Sequence, residues 1–306
     1  MRIKRGIPRS LRVTCAILTA LGIHGTALSA EKPLTFALIQ SEEMSQLGAR
    51  WDTTLKYISK QVGTEVNFYA TNSYAAVVEG MLSGFVHVGK LGANIYIVAQ
   101  KKSNGSIVPI VAAARPANMF NAEPCACYHA TLITKKGSGL NSLAALKGKT
   151  VALVEPASTS GNALPRVLFP QAIGGVKLED HFGRVFYSGS HSASALAVHS
   201  GKADAAFVSE SALERVLTQR NIAKDELMYL WRSPKIPIDV VTVNTKFVSP
   251  EMVRKIQAAF HGMKDTEEGR KLLKDTRYAE FSLVKDSDFD ELRKLLAFEE
   301  DAKRGK

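Results

Sequence analysis

Apolar and polar positions alternate between two periods along most of this chain. Leu34 to Ile39 is a short apolar run that predicts a buried strand. Met44, Leu47, Trp51, Leu55, Ile58 and Val62 then recur at three- and four-residue steps, the signature of a helix with one apolar face. Val66 to Tyr69 predicts a second strand. Tyr74, Val77, Val78 and Met81 predict a second helix, closed by Gly84. A strand over Val86 to Leu91, a helix carrying Ile95, Val98 and Ala99, and a strand over Ile107 to Ala113 complete a βαβα run. Such alternation implies mostly parallel sheets with helices on both faces.

The segment Arg115 to Pro124 holds Pro116 and Pro124 and interrupts the alternation, as a loop at a domain edge does. A strand over Tyr128 to Thr134 leaves it. A second run follows: strand Val151 to Val154, helix from Ser158, strand Arg184 to Tyr187, helix from Ser192, strand Ala205 to Val208, and strand Leu227 to Trp231. Ser233-Pro234 and Ile236-Pro237 break the chain again before a strand over Asp239 to Val243, and the tail from Ser249 reads as helical. Two irregular joints therefore bracket a middle segment. The expected division is 31–130 with 237–306 as one lobe and 131–236 as an inserted second lobe, joined by two crossing strands over a cleft.

The N-terminus stands apart. Arg2, Lys4, Arg5, Arg9 and Arg12 precede an apolar core, Val13 to Ile23, too short to span a bilayer, and Ala27-Leu28-Ser29-Ala30 suits cleavage near Ala30. Residues 1–30 read as a secretory signal peptide and the mature chain as exported; an uncleaved anchor helix is the competing reading. Cys15 precedes the apolar run, so it does not suit lipid attachment, and His24 falls within the leader. The chain of 306 residues has a formal charge of +11; without the leader's five cations, 35 basic against 29 acidic residues leave +6. That excess is spread along the chain with no basic run among aromatics. It argues against a nucleic-acid partner and weakly favours a small anionic ligand. About 276 mature residues of the 306 exceed the usual single core. Cys125 and Cys127 are too close in sequence for an ordinary disulfide and lack neighbours at zinc spacing; oxidation, strain or pairing with another chain all remain open. His129, His181 and His199 show no metal spacing, and no cofactor motif or metal site is evident.

The chemistry concentrates at Val151 to Gly161. A β-branched strand stops at Glu155-Pro156, and Ser158, Thr159 and Ser160 follow where a helical pattern begins. The first turn of a helix carries unpaired N–H groups and the positive end of its dipole. Hydroxyl donors added there make a pocket for a tetrahedral oxyanion, although one capping serine with two bystanders accounts for the same letters. His191, after Gly189-Ser190, occupies a similar strand-to-helix turn.

Together several motifs make the chain resemble a known family. They are Ser73-Tyr74 opening a helix that ends Leu82-Ser83-Gly84; LGANIYIVAQ from Leu91; LAALKGKTVALVEPASTSG from Leu143; LPRVLF from Leu164; YSGSHSASALAVHSGKADAAFVSE from Tyr187; and SPKIPIDVVTV from Ser233. Over about Leu34 to Ala297 these are similar to the phosphate/phosphite/phosphonate-binding proteins of ABC importers. The resemblance implies an α/β, type II periplasmic binding-protein fold: two lobes, each an open, mostly parallel sheet flanked by helices, joined by two crossover strands. It implies a monomer serving an inner-membrane ABC permease and capturing a phosphonate such as 2-aminoethylphosphonate. Phosphite, hypophosphite, phosphate, or service to a sensor kinase are the alternatives. It implies that Ser158, Thr159 and Ser160 hold the oxyanion, that His191 donates to another oxygen, that Tyr74 and Tyr96 reach in from the first lobe, and that Glu210 and Asp239 hold an ammonium. The chain departs from the family pattern at Lys90-Leu91-Gly92-Ala93, where an aromatic residue and Gly-Pro are usual, and at His87, where a small acid is usual. Lys90 could add a cation to the pocket or point to solvent. An enzyme built on Ser158 or Ser160 with His191 and Asp239 is the remaining class, and no G-x-S-x-G turn surrounds those serines.

Overall fold

The computed structural model describes residues 32–39, 44–71 and 73–303. The leader, with Cys15 and His24, lies outside these residues. Among the described residues no helix is long and apolar enough to cross a membrane.

The elements run β1 (Leu34–Ile39), α1 (Met44–Val62), β2 (Val66–Thr71), α2 (Tyr74–Ser83), β3 (Val88–Leu91), α3 (Ala93–Lys102), β4 (Ile107–Ala114) and β5 (Cys127–Tyr128). Next come β6 (Ala130–Lys135), β7 (Thr150–Leu153), α4 (Leu164–Ala172), α5 (Leu178–His181), β8 (Arg184–Tyr187), α6 (His191–His199), β9 (Ala205–Ser209) and α7 (Glu210–Arg220). The chain ends with β10 (Leu227–Arg232), β11 (Ile236–Pro237), β12 (Val240–Asn244), α8 (Pro250–His261), α9 (Glu267–Thr276), β13 (Glu280–Leu283) and α10 (Asp290–Lys303).

One sheet has the order β13-β4-β12-β3-β1-β2 and the other β10-β6-β9-β7-β8. Pairing is mixed. β1 runs parallel to β2 and β3, and β7 to β8 and β9, while β12 and β13 add to the first sheet and β6 and β10 to the second in antiparallel register. In the first sheet the returning tail supplies the antiparallel strands. One face of that sheet packs Phe36, Trp51, Ile58, Phe260 and Phe281 beneath α1, α8 and α9. The opposite face packs Val77, Met81, Ile95 and Phe289 and continues without a break into Val154 and Leu164 of the second half. The second sheet is covered by Ala195, Val198, Leu213 and Val216 on one side and by Phe169, Phe182 and Phe207 on the other.

The structure revises three sequence expectations. The tail is not wholly helical: β13 pairs with β4, burying Phe281 and exposing Leu283. Four residues of alternation are too few to stand out from the helical periodicity around them. The expected strand Tyr128 to Thr134 divides at His129, whose Nδ1 lies 2.7 Å from the Ser233 carbonyl. The helix expected from Ser158 opens as a π-helical turn, Thr159–Ala163, with Ala163 N–H donating to the Ser158 carbonyl at 2.9 Å. Cys125 and Cys127 are joined in a disulfide with Cα atoms 5.0 Å apart. Cys125 also exchanges both backbone hydrogen bonds with Arg115 (2.9 and 3.0 Å), and Cys127 pairs with Pro237.

Candidate functional site

Five helix beginnings open onto one cavity of about 80 Å³. Its wall includes Tyr74 at the first position of α2, Gly92 capping α3, Thr159 and Ser160 in the π turn, His191 opening α6, and Ser209 capping α7. Each turns the positive end of a dipole toward the space, so it favours an anion before any side chain is counted.

The hydroxyls are pre-aimed. Ser158 Oγ accepts from Gly161 N–H at 3.2 Å, and Thr159 Oγ1 accepts from Asn94 N–H at 2.9 Å. Each oxygen thereby uses one of its two lone pairs, and its proton is left to donate elsewhere. The Tyr74 hydroxyl faces Ser158, and that of Tyr128 faces Ser160 and Thr159. Burial pushes both phenols well up, so both remain protonated. The π turn can sit this close to β7 because position 161 is glycine: a Cβ there would fall 2.3 Å from Val154 Cγ2.

His191 is buried at 7 % exposure, and its Nδ1 accepts from Ser209 N–H at 3.1 Å. Burial, reinforced by Arg215, lowers its pKa to about 4. The imidazole is therefore neutral near pH 7, with its proton on Nε2, and acts as a fixed donor. That bond also occupies the nitrogen through which an Asp would orient a catalytic imidazole.

Asp239, just before β12, receives Lys90 Nζ from β3 at 2.5 Å. Burial opposes the Asp239 carboxylate, but Lys90, with Arg115 and Arg215 beyond it, prevails and holds the carboxyl below its usual range. Burial likewise works against the Lys90 ammonium, and Asp239 with Tyr278 outweighs it, raising its pKa. Lys90 thus faces the cavity, not solvent, and spends its charge on Asp239.

The structure brings Tyr74, Ser158, Thr159, Ser160, His191 and Asp239 to this wall. It does not bring Tyr96 or Glu210 there. Tyr96 is fully buried on the inner face of α3, its hydroxyl donates to Asp286 and its ring meets Phe289 edge-on at 4.7 Å. Glu210 accepts a bidentate pair from Arg232, at 2.6 Å from Nε and 2.8 Å from Nη2, on the far side of α7's first turn. Both were expected at the ligand from the family resemblance; side-chain direction, which the letters do not carry, turns them away. Sequence reasoning missed Arg50, Arg115, Tyr128, Arg215 and Tyr278, which also line the cavity. The proline-rich loop after β4 was the one signal near Arg115.

Residues 36–289 match the model of a family described as "ABC transporter, phosphonate, periplasmic substrate-binding protein". The chain belongs to this family. Its similarity to the Phosphonates-binding periplasmic protein of Escherichia coli is 28% identity over 274 residues, 88% of this chain and 78% of that one. With the Phosphate-import protein PhnD of Mycolicibacterium smegmatis it shares 28% identity over 272 residues, 85% of this chain and 83% of that one. A binding-protein component of an ABC phosphonate transporter from Pseudomonas aeruginosa superposes with a TM-score of 0.79 at 25% identity, covering 88% of this chain and 86% of the other. The two-lobed fold and the role of an ABC substrate-binding protein of the phosphonate class follow from this membership, as the motifs implied.

Proposed function

We propose that this binding protein captures a small phosphorus oxyanion in the 80 Å³ cavity, its head held by Ser158, Thr159, Ser160 and the Nε2–H of His191, and delivers it to an inner-membrane ABC permease after export by the N-terminal leader. The observation that carries this reading is the imbalance of donors over acceptors. Six serine and threonine hydroxyls, three phenols, a neutral imidazole, a lysine and three arginines line the space, and Asp239, the carboxylate among the described lining residues, is already held by Lys90. A phosphoryl group offers three strong acceptor oxygens to such a set. Each donor left unpaired by a poorer ligand costs about 1–3 kcal/mol, which is the basis of selectivity. The volume lies well below the roughly 300–1,000 Å³ of sites for drug-sized molecules and suits a small head group.

The two relatives at equal identity carry names that differ between phosphonate and phosphate, so the choice falls to the residues of this cavity. An ammonium-bearing ligand such as 2-aminoethylphosphonate is poorly served: Glu210 is engaged by Arg232 outside the cavity and Asp239 by Lys90 inside it. Calorimetry with methylphosphonate, phosphite, phosphate and methanesulfonate tests the reading. Binding of phosphorus compounds in preference to the sulfonate, weakened about tenfold or more in Ser160→Ala, is the expected result. Silence across the phosphorus compounds overturns it.

A further inference from the structure

A larger cavity of about 420 Å³ adjoins the small one and shares Arg115, Arg215 and Tyr278 with it as a common wall. Its outer lining adds Arg270 and Lys274 of α9 and Arg277 at that helix's C-terminus, against one described carboxylate, Glu214. Glu214 Oε1 accepts from Met119 N–H at 3.2 Å. In the common wall the Arg115 guanidinium lies 4.8 Å over the Tyr278 ring, and the Arg115 backbone exchanges hydrogen bonds with Cys125 of the disulfide. Arg115 Nε is buried without a hydrogen-bond partner. A buried donor of this kind is costly unless a ligand completes it.

We propose that the second cavity is a subsite for a distal anionic group, so that the preferred ligand carries a phosphorus head in the small cavity and a carboxylate or second phosphoryl group beyond Arg115. The inference rests on the phosphorus reading of the small cavity. Cations gathered in one recess repel one another, and an anion relieves that repulsion. Guanidinium forks suit carboxylate and phosphoryl geometry in particular. Aminophosphonates would place like charge against this wall.

Three ligands with the same two-carbon spacer before a methyl, carboxylate or ammonium group test it: propylphosphonate, 2-carboxyethylphosphonate and 2-aminoethylphosphonate, with methylphosphonate as the head-only reference. In calorimetry on the mature protein, the carboxylate should bind about tenfold tighter than the propyl compound and the amine weakest. The advantage should shrink as salt rises, since α9's cations are exposed. It should fall to about threefold or less in the double variant Arg270→Gln/Lys274→Gln, and also in Arg277→Asn, a residue type that tolerates the left-handed backbone at this position (φ 58°). Methylphosphonate binding with equal affinities for the three longer ligands, or an advantage that survives both variants, overturns the subsite and leaves the phosphorus reading standing. Faster association without tighter binding makes the recess an entry funnel and likewise overturns it. Failure of all four ligands overturns the phosphorus reading, and the subsite with it.

Discussion

His191 shows how one side chain's protonation follows from its surroundings. Its pKa is about 4 when folded, against about 6.5 for an exposed imidazole, so between these values the unfolded chain binds a proton that the folded one refuses. Stability therefore falls as pH drops through that window, by up to about 3 kcal/mol, and changes no further through this group below it. Thermal unfolding between pH 7 and 4.5 should show this slope, and His191→Gln should flatten it. Ligand affinity above pH 5 should then follow the ligand's own proton, not the imidazole's. Glu210 makes the complementary case. Glu210→Gln removes half of a pair in which the carboxylate is nearly buried, and should lower stability by about 1–3 kcal/mol. Melting curves, with aminophosphonate and methylphosphonate affinities measured alongside, check this: selective loss of the amine's affinity would return Glu210 to the ligand. From the letters, Ser158 to Ser160 and His191 were legible because caps and strand ends are local features. Glu210 shares that local context and Tyr96 lies one turn into α3, yet their partners Arg232 and Asp286 come from distant strands and turns.

The strand-to-helix junction after β7 depends on packing between neighbouring elements. Its five-residue π turn lies against Val154, and Gly161 is what permits the approach. In Gly161→Ala the added methyl meets a buried β-branched side chain at 2.3 Å. Overpacking of this kind costs about 1–3 kcal/mol. Because the methyl would also lie 3.0 Å from Ser158 Oγ, ligand affinity should drop together with melting temperature. Calorimetry and thermal unfolding on the same preparation check the pair of effects; unchanged affinity in a destabilised protein would show that the hydroxyls keep their aim without the glycine. The junction's existence was plain from apolar run, proline and hydroxyl cluster. Its π geometry was not, since an i→i+5 bond leaves no periodic mark in so short a stretch.

Across the whole molecule, the cavity exists because the two sheets are docked. Asn94 of α3 donates its backbone N–H to Thr159 Oγ1 and its side-chain amide to the Ala157 carbonyl, both at 2.9 Å, and Tyr74 N–H reaches Glu155 at 3.4 Å. Leu292 of α10 packs in the same apolar cluster as Leu164 of α4, a second tie between the halves. Asn94→Ala should reduce the population of the docked arrangement. It should weaken all phosphorus ligands by one common factor of about tenfold or less, because apparent affinity scales with the competent fraction. Calorimetry over several ligands, with small-angle scattering of the free protein, checks this; a loss confined to one ligand would mean that Asn94 reads the ligand itself.

The amino-acid order alone was enough for the alternation of strands and helices, the two breaks near Arg115 and Ser233, and the hydroxyl-rich turn whose helix start favours an anion. Periodicity, caps and chain breakers act over a few residues, so a single stretch contains all the information they need. The cationic character of the wall came from long-range docking instead. Lys90 and Asp239 are separated by 149 positions, yet strand pairing sets them side by side. Pairing of β13 with β4 sets Tyr278 beside Arg115, and Arg215 joins them from α7 of the other half. Charge partners are chosen by distance in space, and that distance is unknown until the sheets have packed.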